Sequence, residues 1–300
     1  MESSQAALAP LAGPPAPPPE PPRETNDWPW WTAPAALVGG LLLAAVGGLA
    51  VDIPASLFGV SITASHLPGW LELLDTMVQD GAFVGAAVLF AHVGRRTVRA
   101  WQFGLRPPRL RWRSTALLIF ALLLAFLIFS AIWSEVIEVH TKEKLLEQLG
   151  ANEGTSLLLL SALLTCVIAP FCEEFLFRGF IYTALCSWRG PWPAAIITGL
   201  VFGGIHAGSA PAADLLPLGA LGFGLCLLYR RTGSLYPCIA AHSLNNSLAF
   251  GALESWGWQI PVLMAAALAT IALLIFALKR AGVITPPPES RVPPVVLAPI

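Results

Sequence analysis

The sequence is poor in charged residues. Only 12% of its 300 residues are Asp, Glu, Lys or Arg, about half of the roughly 25% that is usual in a soluble domain. Because 56% of the residues are hydrophobic, a soluble protein of this size would lack the polar surface needed to cover its core. The balance of 17 basic against 18 acidic residues also argues against nucleic-acid binding, since no patch carries the positive charge that phosphates attract. The composition therefore predicts a polytopic membrane protein.

Cysteines are few, and they form no metal-binding pattern. Their number is odd, no two have zinc-finger spacing, and all lie in apolar stretches. We interpret them as small buried hydrophobic residues. They are Cys166, Cys172, Cys186, Cys226 and Cys238.

Eight apolar segments lie between two proline-rich ends. The segments are 30–51, 76–94, 114–134, 156–186, 191–207, 215–229, 235–253 and 259–278. A helix needs about 20 residues to cross about 30 Å of hydrocarbon, so the fifth and sixth segments are short and need shielding by neighbouring helices. We predict an all-α polytopic membrane helical bundle of about eight transmembrane helices, with a membrane domain over residues 30–280. Residues 1–29 hold nine prolines and residues 281–300 hold six, which predicts two disordered tails.

The basic residues are distributed asymmetrically along these segments. Fourteen of the 17 Lys and Arg residues fall on one side of the predicted bundle, Lys142 and Lys144 fall on the other, and Arg178 lies within the membrane. Because cytoplasmic loops carry an excess of Lys and Arg, both termini are predicted to be cytoplasmic. We expect a multi-pass protein of the cell membrane. The Ala- and Pro-rich tails suggest a bacterial inner membrane.

The fourth segment contains a charged motif, Glu173-Glu174-Phe-Leu-Phe-Arg178. A charged side chain at the centre of a membrane helix costs about 2.5–3.5 kcal/mol on insertion scales, so each one needs a reason. Arg178 follows Glu174 by four residues, so the two side chains share a helix face and can pair. Glu173 points about 100° away and is left without that partner. A desolvated carboxyl group of this kind suits a general base or acid.

Two further motifs place polar residues in the membrane. Phe202-Gly-Gly-Ile-His206 lies in the fifth segment, and we expect the adjacent glycines to let another backbone approach closely. His242-Ser-Leu-Asn-Asn246 lies in the seventh segment, and the spacing of four puts His242 and Asn246 on one helix face. Either histidine alone would be interpreted as a core residue. The three motifs together predict two histidines, a carboxylate and an amide that meet inside the bundle.

Three other polar residues lie within the apolar segments. Asn245 also lies near His242, and we rank it below Asn246. Asp80 and His92, in the second segment, belong to no motif, and we interpret them as packing or edge residues.

The ordered set Glu-Glu-xxx-Arg, Phe-xxx-His and His-xxx-Asn resembles the motifs of the CAAX-protease and bacteriocin-processing family of intramembrane proteases, and the resemblance is best over about 115–250, the expected protease core. It implies that Glu173 is the catalytic glutamate and His206 the catalytic histidine. It also implies that His242 and Asn246 stabilise the oxyanion, while Glu174 and Arg178 complete the first motif. The implied reaction is hydrolysis of a peptide bond in or beside the bilayer, by a water that Glu173 and His206 activate.

Alternatives remain open at this point. Glu173, His206 and His242 are also the ligand types of a catalytic zinc site, although we favour a reaction without metal, because no helical His-Glu-x-x-His is present. A transporter with buried ionisable residues would be expected to show internal repeats, and the first four segments do not resemble the last four. A non-catalytic membrane scaffold would tolerate loss of the motif residues, and all are present. The expected partners are the lipid bilayer and a membrane-associated protein or peptide substrate, with no nucleic acid.

Overall fold

The computed structural model describes residues 28–62, 67–94, 97–137 and 154–287. In these residues the chain forms eight helices and no β-strand, which confirms the predicted all-α bundle. The helices are α1 (Thr32–Leu57), α2 (Gly69–Ala91), α3 (Trp112–Ile137), α4 (Thr155–Arg189), α5 (Pro191–Ile205), α6 (Leu215–Thr232), α7 (Leu235–Leu253) and α8 (Gln259–Arg280). Short 3-10 turns at Ala100–Phe103 and Ala212–Asp214 precede α3 and α6.

Six of these helices are long and apolar enough to cross a membrane: α1, α2, α3, α4, α6 (taken with its preceding turn) and α8. The other two, α5 and α7, are 15 and 19 residues long. Helix α2 begins at Gly69, seven residues before the predicted start at 76. The prediction was wrong there because Glu72 and Asp75 in the first turns of the helix interrupt the apolar pattern.

Helix α4 lies at the centre of the bundle, where it packs against α1, α2, α5, α6, α7 and α8. It contains two π-helical stretches, Leu164–Ile168 and Phe175–Tyr182. All eight residues of the second stretch are buried. A π-helical turn is wider than an α-helical turn and occurs often at functional sites. The Glu-Glu-xxx-Arg motif begins just before the second π-helical stretch and ends within it.

Helices α5 and α6 pack with their backbones in close approach. A Cβ atom added to Gly199 would lie 2.7 Å from the carbonyl oxygen of Gly219, and one added to Gly203 would clash with the carbonyl oxygen of Leu215. Gly203 therefore allows the close approach that the sequence predicted. The same prediction was wrong for Gly204, because a Cβ atom added there would have no other atom within 4 Å.

The basic loops meet at one end of the bundle. Trp28 donates its indole N–H to the carbonyl oxygen of Ala91 at 3.2 Å, and its ring lies 5.1 Å from that of Phe103. A few residues on, the Nε of Arg106 donates to the carbonyl oxygen of Gly233 at 2.8 Å. The segment before α1, the end of α2, the loop before α3 and the α6–α7 turn thus lie at one end of the bundle.

The folded part extends into both predicted tails. Trp28 is fully buried, and Ile284, beyond α8, is also buried. The remainder of the tails, residues 1–27 and 288–300, lies outside the described residues, as do Lys142 and Lys144.

Candidate active site

The Glu174–Arg178 pair forms as predicted. Nη1 of Arg178 donates to Oε1 of Glu174 at 2.8 Å, and both side chains are fully buried. Nη2 of Arg178 donates to the carbonyl oxygen of Gly222 on α6 at 2.9 Å, and the guanidinium lies 4.4 Å from the centre of the Phe202 ring on α5. The arginine therefore links α4 to two neighbouring helices and compensates the charge of the fully buried Glu174 carboxylate.

His242 of α7 lies between the two glutamates. Its Nδ1 is 3.0 Å from Oε1 of Glu174, and its Nε2 is 3.9 Å from Oε2 of Glu173. The first distance is a hydrogen bond and the second is too long for one. Glu173 is 12% exposed, whereas Glu174 is fully buried. Oε2 of each carboxyl group has no hydrogen-bond partner among the described residues, but Oε1 of Glu174 has two. Two adjacent carboxyl groups thus have different surroundings.

His206 directly follows α5 and contacts Phe202, which lies beside the site. Its Nδ1 lies 2.7 Å from the carbonyl oxygen of Phe202, and because a carbonyl can only accept, Nδ1 carries a hydrogen. In a neutral ring Nε2 is then an acceptor. The Phe202 ring lies 5.0 Å from the His206 ring and 5.6 Å from the His242 ring. In the part of the chain that the structure describes, no hydrogen bond joins His206 to Glu173. The Phe202 ring therefore lies close to both motif histidines.

Asn246 faces α4, on the same side of α7 as His242. Its amide donates to the carbonyl oxygen of Thr165 at 2.9 Å, and the neighbouring Ser243 donates to the carbonyl oxygen of Cys166 at 2.6 Å. Both carbonyls belong to the first π-helical stretch of α4, so side chains of α7 satisfy backbone groups there. One N–H of the Asn246 amide is used in this way and the second is left for another acceptor.

Asn245 makes a weaker contact. Its Nδ2 lies 3.4 Å from Oδ1 of Asn246, so it touches the motif residue. The ranking of Asn245 below Asn246 stays a prediction.

The zinc alternative requires three ligands in one place. Among the described residues, no group of three or more His, Cys, Asp or Glu side chains is arranged to hold a metal ion. Nδ1 of each histidine already makes a hydrogen bond, to Glu174 in the case of His242 and to the Phe202 carbonyl in the case of His206. The choice between a zinc site and a metal-free reaction stays a prediction.

Asp80 of α2 is buried beside the candidate site, a position that the sequence interpretation did not connect with the motifs. Its residue is 2% exposed, its Oδ2 has no hydrogen-bond partner among the described residues, and it lies near enough to Glu173 for the two carboxyl groups to interact electrostatically. Leu73 and Ala87, seven residues to either side, are buried on the same helix. This seven-residue apolar spacing is the signal that would have placed Asp80 on the inner face of α2.

Comparisons with known proteins match the part of the chain that builds this site. Residues 155–248 match the family described as type II CAAX prenyl endopeptidase Rce1-like. The chain is 32% identical over 88 residues to the "Putative membrane peptidase YdiL" of Bacillus subtilis (strain 168), a match that covers 29% of this chain and 35% of that protein. The chain therefore spans about a third of the length of the curated relative it matches. No solved structure matches it significantly. These matches confirm the predicted resemblance to the CAAX-protease family over the segment that carries Glu173, His206, His242 and Asn246.

Proposed function

We propose that this protein is an intramembrane endopeptidase that hydrolyses a peptide bond in or beside the bilayer. One observation carries the proposal: Oε1 of Glu174 is paired with Arg178 and His242, whereas the next residue, Glu173, is 12% exposed and lies no closer than 3.9 Å to His242, too far for a hydrogen bond. A carboxylate held in a shielded site without a structural partner is suited to proton abstraction. The family match over residues 155–248 supports the same reaction class.

In the proposed reaction, Glu173 takes a proton from a water molecule, and the water oxygen attacks the scissile carbonyl carbon. His206 helps to orient that water through Nε2, which its bond to the Phe202 carbonyl leaves as an acceptor. Asn246, with its remaining N–H, and His242 stabilise the oxyanion that forms. Hydrogen bonds to developing charge are strongest in a site from which water is excluded, and the burial of His242 and Glu174 supports such a site.

The reaction that we propose uses no metal. The described residues contain no group of three His, Cys, Asp or Glu side chains arranged to hold a metal ion, which supports this choice. We therefore assign no step to zinc.

The proposed substrate is a membrane-associated protein or peptide. The proposed location is the cell membrane of a bacterium, in which prenylated CAAX proteins are not expected. Precursors of bacteriocin type or proteins with C-terminal sorting tags are the substrate classes that remain. Both termini are proposed to be cytoplasmic, so reporter fusions at residues 100 and 232 should both give a cytoplasmic signal. An external signal at residue 100 would overturn this orientation.

The test of the peptidase proposal is cleavage by purified protein in phosphatidylcholine liposomes. The substrates are internally quenched peptides, each a Leu-Ala transmembrane helix with a Gly-containing segment at a different depth, together with a farnesylated CAAX peptide. We expect the wild type to cleave at least one peptide and Glu173→Gln to lose about 10²–10⁴-fold in rate. Glu135→Gln is the matched control, because Glu135 is exposed on α3, far along the chain from every motif.

Two results would contradict the proposal. One is full activity of Glu173→Gln. The other is a wild-type protein that cleaves no peptide of the panel but conducts protons or ions across the same liposomes, which would favour a transporter.

A further inference from the structure

The hydrogen bond between Glu174 and His242 determines which nitrogen of His242 carries a hydrogen. Oε1 of Glu174 also accepts a hydrogen bond from Arg178 at 2.8 Å, and a carboxylate paired with a guanidinium is ionised and only accepts. The hydrogen in the 3.0 Å contact with His242 therefore belongs to Nδ1 of the imidazole. A neutral imidazole has one N–H, so in the neutral ring that the inference below requires, Nε2 of His242 is an acceptor.

This assignment changes what His242 can do at the start of a reaction. An acceptor nitrogen cannot donate to an oxyanion. It can, however, receive a proton. The carboxyl group that faces Nε2 is that of Glu173, whose Oε2 lies 3.9 Å from this nitrogen. An approach of about 1 Å would bring the two atoms into hydrogen-bond distance, and catalytic hydrogen bonds are often long before substrate binds.

We propose that Glu174 is a positioning residue that holds His242 as a proton acceptor, and that His242 carries the proton from Glu173 to the leaving amine. This inference rests on the proposed endopeptidase function. In the first step, an O–H bond of water breaks, the electron pair forms the new C–O bond, and the proton goes to the Glu173 carboxylate. Glu173 then passes this proton to Nε2 of His242. The resulting imidazolium donates to the oxyanion and gives its proton to the amide nitrogen as the C–N bond breaks. Glu173 and His242 return to their starting forms, and the products are a carboxylic acid and an amine.

The surroundings of the two histidines explain why His242, and not His206, has this role. An imidazolium buried without a counter-ion is costly. Nδ1 of His242 faces the Glu174 carboxylate, which stabilises the positive charge, whereas Nδ1 of His206 faces a neutral backbone carbonyl. The same logic orients the histidine of a serine protease through a buried carboxylate. Glu174 needs Arg178 to stay ionised in this environment, so the Glu-Glu-xxx-Arg motif supplies a base, an orienting carboxylate and its counter-ion.

The first measurement is nitrogen NMR of the full chain, labelled with ¹⁵N-histidine and reconstituted in phosphatidylcholine liposomes. The chain has five histidines, and His242→Ala and His206→Ala assign the two resonance pairs of interest. We expect His242 to show a protonated Nδ1 and an unprotonated Nε2 at neutral pH. In Glu174→Gln the amide NH₂ can donate to Nδ1, so the hydrogen should move to Nε2. Arg178→Gln removes the counter-ion that keeps Glu174 ionised, and a protonated Glu174 can donate to Nδ1, so the hydrogen should move to Nε2 in this variant as well.

The wild-type spectrum alone decides the tautomer, even if both variants fail to fold. A wild-type His242 with its hydrogen on Nε2 would overturn the inference. So would a folded Glu174→Gln protein whose spectrum is unchanged.

The second measurement is kinetic and uses the best-cleaved peptide of the panel. Glu174→Gln should lower kcat by about 10²-fold or more, in line with the loss seen when the orienting carboxylate of a serine protease becomes an amide, with KM changed less than about threefold. A variant that folds and keeps the wild-type kcat would overturn the positioning role. If the wild type cleaves nothing, the endopeptidase proposal and the proton path fail together, while the NMR result still tests whether Glu174 positions His242.

Discussion

The outer and inner helices of this bundle are both apolar but differ in how much of their surface is buried within the protein. In the most apolar stretch of α3, 6% of the residues are buried within the protein, against 44% in the span that contains α6. Among the described helices, the buried Asp, Glu, Arg and His side chains lie on the inner faces of α2, α4 and α7: Asp80, Glu174, Arg178 and His242. Charge in the membrane is costly unless it is shielded and paired, so the outer helices shield the interior and the inner helices hold the buried charged groups.

The largest effect should come from breaking the charge pair of the inner helices. Arg178→Ala leaves the Glu174 carboxylate without its guanidinium, and breaking a buried pair costs about 3–5 kcal/mol. Denaturant unfolding in detergent should show this loss. Glu135→Ala, on the outer face of α3, should change the stability by less than about 0.5 kcal/mol. Equal losses in the two variants would contradict the division between outer and inner helices.

A smaller effect is expected from removing the amide that faces the first π-helical stretch. Asn246→Ala should lower turnover by about 10²–10³-fold, the usual loss of an oxyanion donor, with little change in KM. It should also destabilise the protein, because the Thr165 carbonyl loses its donor. Asn245→Ala is the control and should change turnover by less than threefold or so, since the contact of Asn245 is weak. An Asn246→Ala protein with the wild-type turnover would show that the amide is only structural.

The smallest effect should distinguish two adjacent glycines of α5. Gly203→Ala forces the α5 and α6 backbones apart, and overpacking of this kind costs about 1–3 kcal/mol. Gly204→Ala has open space around the new methyl group and should be neutral or slightly stabilising, because alanine favours helix over glycine by up to about 1 kcal/mol. Thermal unfolding in detergent measures both. The comparison breaks down if Gly204→Ala is the more destabilised variant.

Much of the architecture could be predicted from composition and local pattern. Seven of the eight helices begin within two residues of the predicted starts, because the apolar runs are long and are bounded by charge, glycine or proline. The Glu174–Arg178 pair followed from a spacing of four residues, which is a local property of a helix.

Contacts between distant helices could not be predicted in the same way. The hydrogen bond of His242 to Glu174, rather than to Glu173, depends on the rotation of α7 against α4. The π-helical stretches of α4 and their satisfaction by Ser243 and Asn246 depend on tertiary packing. The proximity of Asp80 to Glu173 could not be predicted for a related reason, because a lone charge in an apolar segment gives no local sign of the side chain that it faces.

The central claim is that Glu173 activates water without the help of a metal ion, and zinc content measured together with cleavage tests it most directly. The proposal predicts that active purified protein holds far less than one zinc per chain and that phenanthroline leaves the cleavage rate unchanged. One tightly bound zinc per chain, lost in both His206→Ala and His242→Ala but kept in Asn246→Ala, would contradict it.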